Sequence, residues 1–259
     1  MSKSQFIINY VGTKFRESKH LNIDIDKYDT IIEPFGGSFG YSRYLWLNKD
    51  NCKDKKYIIY DTNKELIDLY NHLKETDIEL FLKEYNSLCD NVFDLFKTGK
   101  DKSQIKTKDS IKWIDENVYN KHLKFLLIQN IKSSPISRVY WKINIVFKDM
   151  FKCCDFIYAD FTTIDLSIYD NEKTLIYLDP PYAFECNTFY KNNDEDTLYK
   201  NIWERLIDLF KNDKFNCILI HSYNYLVDYI FKEYSYQEYD IKYGNTGNIR
   251  KHIVYFKSI

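Results

Sequence analysis

The feature that most constrains this 259-residue chain is a rhythm. Short apolar runs end on an acid or a Gly/Pro turn, and each is followed by a stretch with helical spacing. Thr30 to Glu33 is a short β-type run that leads into Pro34, Phe35 and a glycine-rich turn, with Tyr41 to Asn48 helical behind it. Tyr57 to Tyr60 stops at Asp61, and Asn63 to Lys74 follows with Leu66, Leu69, Tyr70 and Leu73 at helical spacing. Asp155 to Ala159 and Thr174 to Leu178 are two further runs, ending at Asp160 and Asp179. Asp196 to Phe210 reads as a helix, Asn216 to His221 as a buried strand and Tyr225 to Phe231 as a helix. Tyr236 to Lys242 and His252 to Lys257 close the chain as strands. Such alternation predicts an open, mostly parallel α/β sheet, because parallel neighbours need a crossover and a helix supplies it.

The stretch from about Asp77 to Phe151 breaks the rhythm. It is helix-like and Lys-rich, and no run in it ends on an acid. It reads as an insertion, residues 77–151, into a core made of residues 1–76 and 152–259.

Composition narrows the partners. The formal charge is −1, whereas a protein that grips nucleic acid mainly through phosphates is usually basic, so positive charge must gather on one face if that is the partner. The 24 Tyr and 18 Phe accompany many Lys, Asn and Ile, the mark of an AT-rich coding sequence, and by themselves say nothing of base stacking. Six Cys occur without a Cys-x-x-Cys pair, which suits neither a disulfide framework nor a tetrahedral zinc site. Reduced thiols, no metal and no membrane partner are expected. With no long apolar run and no signal-peptide pattern, a soluble intracellular protein is expected, in a bacterial or eukaryotic host cell and open to viral or phage origin.

In an open α/β sheet, ligands sit beyond the carboxyl ends of the strands. Here those ends carry Glu33-Pro34-Phe35-Gly36-Gly37-Ser38, then Asp61, Asp160-Phe161 and Asp179-Pro180-Pro181-Tyr182. Glycines let the backbone approach a ligand closely. Asp61 is placed to accept from ribose hydroxyls, or equally to cap the helix that starts near Asn63. Asp160 suits a turn as well as a ligand.

The Asp179 tetrad is the sharpest of the four. An amino group on a heteroaromatic ring is a poor nucleophile, because its lone pair is delocalised into the ring. A site that methylates it must hold both N–H bonds with acceptors so that the nitrogen can pyramidalise. Asp179 supplies a carboxylate, and the Pro180 carbonyl supplies a second acceptor, stiffened by consecutive prolines that carry no competing N–H. Tyr182 offers a flat face to an extruded base. The bland alternative is a Pro-Pro turn leaving a strand.

These residues, in this order, resemble the Dam-type (D12 class) adenine-N6 DNA methyltransferases. Tyr10-Val11-Gly12-Thr13-Lys14 resembles that family's segment closing over S-adenosylmethionine, which implies cofactor contacts for Tyr10 and Lys14. Glu33 to Ser38 resembles its first core motif, which implies that Glu33, Gly37 and Ser38 surround the methionine end of the cofactor. Tyr57 to Asn71 is close to its second motif, with Asp61 at the ribose position. Asp160 and Phe161 match the adenine-side motif, and Asp179 to Tyr182 the catalytic tetrad, with Asp179 also facing the cofactor. The resemblance implies a class I methyltransferase sheet of seven strands whose last strand, supplied by His252 to Lys257, is antiparallel. It also implies that residues 77–151 form a helical target-recognition subdomain.

Two departures stand out. Phe39 occupies the usual second-Gly position of the first core motif, with Gly40 one step later. Gln129 to Tyr140 keeps only Arg138 of the family's target-recognition run. The implied partner is duplex DNA with a flipped adenine, as monomer or homodimer. Cytosine N4, an RNA adenine and a catalytically inactive nucleic-acid-binding paralogue stay open at this point. Lys242, Arg250, Lys251 and Lys257 cluster near the loop that precedes the family's last strand, which assigns Arg250 and Lys251 to phosphates. Lys97, Lys100, Lys102, Lys106, Lys108 and Lys112 either track phosphates too or form a solvated loop. His221 is expected to be a core histidine satisfied by backbone.

Overall fold

The computed structural model describes residues 14–98, 104–133, 148–181, 195–242 and 249–259. Its main sheet has seven strands. In chain order they are β1 (Thr30–Glu33), β2 (Lys56–Asp61), β3 (Cys154–Tyr158), β4 (Thr174–Leu178), β5 (Asn216–Ser222), β6 (Ser235–Lys242) and β7 (Ile249–Lys257). Their order across the sheet is β3-β2-β1-β4-β5-β7-β6. The first five are parallel, and β7 runs antiparallel to both β5 and β6. This is the mostly parallel α/β sheet that the alternation predicts, with the antiparallel last strand that the resemblance implies.

Every residue of β4 and β5 is buried. Strands covered on both faces need apolar side chains at consecutive positions, and Thr-Leu-Ile-Tyr-Leu and Asn-Cys-Ile-Leu-Ile-His-Ser supply them. Alternate residues then feed two cores. Ile31, Ile59, Leu175, Tyr177, Ile218 and Ile220 belong to one cluster. Ile32, Ile58, Ile176, Leu178, Cys217 and Leu219 belong to the other.

The first cluster packs under α1 (Gly40–Asn48) and α2 (Lys64–Glu75), and continues into α3 (Ile78–Phe96), α4 (Thr107–Asn117) and α5 (Lys121–Ser133). The second packs under α6 (Glu195–Lys211) and α7 (Tyr225–Phe231). The helical segment that interrupts the alternation thus shares its apolar side chains, among them Phe81, Tyr85, Leu126 and Ile131, with one sheet face. Asp77 starts it, accepting from Glu79 N and Leu80 N.

The expected elements differ from the observed ones mainly at their ends. β2 runs on through Asp61, and β7 begins at Ile249, three residues ahead of His252. Ile249, Arg250 and Lys251 are all exposed, so no alternating pattern marks them. Pairing with β6, Asp240 opposite Lys251 and Ile241 opposite Arg250, makes them a strand.

The strand order reverses between β1 and β4, and there the crossovers leave on opposite faces and open a crevice. Ile32 pairs with Ile176 across this boundary. The loop after Glu33 and the residue after Leu178 therefore emerge side by side at the carboxyl edge.

Candidate active site

The turn after β1 is built on glycine for a steric reason. Gly36 donates to Tyr60 O at 2.7 Å. A Cβ on Gly36 would lie 2.4 Å from Ile59 Cγ2 and 2.8 Å from Tyr60 O, so the loop closes on β2 only without a side chain. Gly37 has φ 47°; it donates to Asp61 Oδ2 at 2.7 Å and accepts from the Tyr70 hydroxyl at 2.8 Å.

Phe39 shows how the departure from the family pattern is accommodated. It is left-handed, φ 40° and ψ 54°, and immediately precedes α1. That conformation costs a non-glycine residue about 1 kcal/mol. The ring offsets the cost by packing edge-on against Tyr70 at 5.0 Å and Phe156 at 5.5 Å, 2% exposed.

Phenylalanine cannot cap a helix, and α1 takes its cap from the strand instead. Glu33 Oε1 accepts from Ser42 N at 2.7 Å, in the first turn of α1, where a carboxylate also meets the positive end of the helix dipole. Burial pushes the Glu33 carboxyl up to about 7, against the opposing pull of the Ser42 hydrogen bonds and Arg43. Ser38, in the turn after β1, is buried.

Asp61 does not cap α2. Asn63 does, accepting from Leu66 N at 3.1 Å. Asp61 instead ties the two loops together, with Oδ1 accepting from Asn63 N and Oδ2 from Gly37 N, both at 2.7 Å. Burial raises its pKa more than these backbone bonds lower it. A carboxylate has about four acceptor positions, so beyond the backbone bonds from Asn63, Gly37 and Thr62 one stays for a further donor. Asp160 accepts from Thr162 N at 2.8 Å and Thr162 Oγ1 at 2.7 Å, capping the short turn Phe161–Thr163. Phe161, 2% exposed, lies 4.9 Å from the Phe35 ring.

Asp179 follows β4 directly, and Lys14 Nζ lies 3.0 Å from its Oδ2. Burial raises the Asp179 pKa, and the Lys14 ammonium is the main influence holding it down. A lone carboxylate here would tend to take up a proton and lose its acceptor character; Lys14 works against that tendency. Pro180 is buried and Pro181 half-buried.

The structure thus brings Lys14, Glu33, Gly37, Ser38, Asp61 and Asp179 to the edge where β1, β2 and β4 end. Tyr10, Arg138 and Tyr182 lie outside the described residues. Arg250 and Lys251 stand exposed on β7, and Lys251 pairs with Glu238 across the hairpin at 2.8 Å. His221 is a core histidine, as expected: its Nδ1 meets the Ser222 carbonyl and its ring packs edge-on against Trp203. Sequence reasoning missed Glu17, Ser42 and Tyr70. Tyr70 lies in a helical apolar pattern that shows only that it is buried; Glu17 and Ser42 have no local signal.

Among the described residues no three His, Cys, Asp or Glu side chains gather as metal ligands, and no helix is long and apolar enough to cross a membrane. Cys52, Cys153, Cys154 and Cys217 are free thiols.

Comparison with known proteins adds an independent line. The family model described as D12 class N6 adenine-specific DNA methyltransferase matches residues 10–246. The DNA adenine methylase of Escherichia coli K12 is 26% identical over 198 residues, which cover 71% of this chain and 66% of that protein. The DNA adenine methylase of Escherichia coli O157:H7 gives the same figures. The chain spans just under two thirds of the length of these relatives.

Proposed function

The chain belongs to the D12 class of N6 adenine-specific DNA methyltransferases, and from that premise we propose that it transfers the methyl group of S-adenosylmethionine to adenine N6 in DNA. The observation that carries this reading is the largely buried Asp179 carboxylate, paired with Lys14 at 3.0 Å, at the switch point beside the Asp61-anchored glycine turn.

S-adenosylmethionine fits the residues present. A ribose diol needs an acceptor, and Asp61 keeps one acceptor position beyond its backbone bonds. An adenine ring needs apolar faces, and Phe35 and Phe161 provide them. Gly37 and Ser38, with Glu33 behind them, line the turn assigned to the methionine end, and Asp160 fixes the turn that presents Phe161. When bound, the cofactor supplies an electrophilic methyl on a positively charged sulfur.

The chain's own residues do the rest. Asp179 and the Pro180 carbonyl accept the two amino hydrogens of the base, which frees the nitrogen lone pair for attack. Lys14 opposes the upward pull of burial on the Asp179 pKa, which favours the charged, accepting form. We assign base stacking to Tyr182 and cofactor closure to Tyr10 from their sequence motifs. Residues 77–151, with Arg138, are assigned to target recognition, and Arg250 and Lys251 to phosphates. Holding both reactants in line removes much of the entropic barrier.

The test is transfer of labelled methyl to duplex DNA, single-stranded DNA and RNA, followed by nucleoside analysis. Label in N6-methyladenine from duplex DNA is the expected result. Label in N4-methylcytosine, or in RNA alone, overturns the substrate assignment. Absence of S-adenosylmethionine binding by calorimetry would leave an inactive paralogue.

A further inference from the structure

The turn that carries Lys14 is fastened from two sides. The Lys14 carbonyl accepts from Glu17 N at 3.1 Å, Ser18 N at 2.9 Å and Ser18 Oγ at 2.7 Å, which shapes the turn. Those bonds are internal and do not fix where the turn sits. Its placement comes from Phe15, which packs edge-on against Tyr44 of α1 at 6.0 Å, and from contacts with the C-terminal hairpin. The Tyr239 hydroxyl of β6 donates to Glu17 Oε2 at 3.1 Å, and His252 Nδ1 of β7 lies 3.2 Å from the same oxygen. His252 is fully buried, and Glu17 nearly so. Three residues on, His20 stacks on Tyr239 at 5.3 Å, and its carbonyl accepts from Gln237 Nε2.

We propose that Glu17 is a positioning residue: held by Tyr239, with His252 packed beside it, it fixes the turn against the hairpin and so holds the Lys14 ammonium on Asp179. A lysine ammonium rides on a flexible four-carbon stem, and it stays on one oxygen only if its backbone is anchored nearby. Glu17 is the carboxylate on that turn that reaches the sheet. The hairpin that carries Arg250 and Lys251 is thereby coupled to the acceptor carboxylate. This inference rests on the reading of Asp179 as the acceptor of the amino hydrogens.

A positioning role and a bystander role differ in sign. The charged and titratable groups facing Asp179 are Lys14 and Glu17 from the turn, His252 from β7, Glu33 from the end of β1 and Tyr177 on its own strand. Through space, Glu17 raises the Asp179 pKa. Removing its charge should therefore lower that pKa if Glu17 is a bystander. If Glu17 positions Lys14, its removal frees the ammonium from Asp179 and the pKa rises.

The experiment is a carbon-13 NMR titration of the Asp179 carboxyl in the full chain. In Glu17→Gln the titration midpoint should move up by roughly one unit, the size expected when one opposite charge leaves the carboxylate. In Lys14→Met no ammonium remains to displace, so adding Glu17→Gln should move the midpoint down. Tyr239→Phe removes no charge and should raise the midpoint by less than Glu17→Gln does. It carries the test if Glu17→Gln fails to fold. A fall or no change in Glu17→Gln, or an unchanged midpoint in Tyr239→Phe, overturns the proposal. The titration needs no activity, so a wild-type chain that methylates nothing would sink the proposed function and leave the positioning role of Glu17 intact.

Discussion

Two lysine–aspartate pairs of nearly equal length sit in the two regions of the molecule and have different consequences. At the carboxyl edge of the sheet, Lys14 and Asp179 are 3.0 Å apart with side chains 5% and 20% exposed. In the helical segment between β2 and β3, Lys97 and Asp94 are 3.2 Å apart and largely in solvent. The same holds for the segment's Lys112–Glu116 and Lys148–Glu79 pairs. Inside the segment, the fully buried side chains are apolar or uncharged: Phe81, Leu82, Val92 and Leu126, with Ser110 and Asn130 among them. At the edge, carboxylates are drawn into the protein and their pKa values rise. A charge pair in water contributes little, because solvent screens it and both side chains lose freedom. A pair out of water is costly to break, because the survivor is left without compensation. The distance between partners does not reveal which kind it is. Burial does.

The contrast between the two regions can be tested from its strongest point downward. Asp179→Ala should reduce methyl transfer by about a thousandfold or more, the scale of losing a preorganised polar contact to the reacting group, while far-UV circular dichroism keeps its α/β signature. Transfer at the wild-type rate would break the claim that the buried side carries the chemistry.

Glu33→Gln comes next. An acid whose pKa is raised from 4.5 to about 7 by burial binds its proton more tightly folded than unfolded. The stability it contributes is full below 4.5 and is lost as pH rises through about 7. Glutamine keeps an acceptor for Ser42 N without the charge. The variant should be more stable above neutrality by up to roughly 3 kcal/mol in urea unfolding, with a flatter pH profile.

His122→Asn should show the opposite sign in the helical segment. His122 stacks on His72 at 4.2 Å, and burial and His72 together push its pKa down from 6.5 to about 4. The unfolded chain binds more protons between those values, so stability is lost as pH falls from 6.5 towards 4. With solvent screening the loss is on the order of 1 kcal/mol, and the variant should not show it. Thermal unfolding at mildly acid pH reads it directly.

The smallest effect belongs to Lys112→Ala. Its partner Glu116 is 4.0 Å away and both are exposed, so the unfolding free energy should change by less than about 0.5 kcal/mol. A larger loss would show that surface charge on the segment is structural.

Much of the scaffold was legible in the residues alone. Thr174–Leu178 and Tyr225–Phe231 fall where alternation and helical spacing put them. The acids that close β2 and β4 reach the crevice, because a strand that ends at the carboxyl edge of an open sheet delivers its next residue there. Less legible was the division of labour among those acids. Asp61 and Asn63 are equally good caps in sequence, and only the fold gives α2 to Asn63 and the glycine turn to Asp61. Phe39 looked like a break in the glycine pattern, and its left-handed backbone is tolerated only because Tyr70, Phe151 and Phe156 surround the ring. The exposed start of β7 carried no alternation to read.

By itself, then, the sequence determined the sheet, the helices and which side chains would be delivered to its carboxyl edge, since those follow from periodicity and turn chemistry within a few residues. Tertiary structure decided which charges leave water and what they meet there. Glu17 faces His252, and Lys14 faces Asp179, across separations that no local pattern spans. The strength of a charge depends on the dielectric around it, and that is set by neighbours from distant parts of the chain.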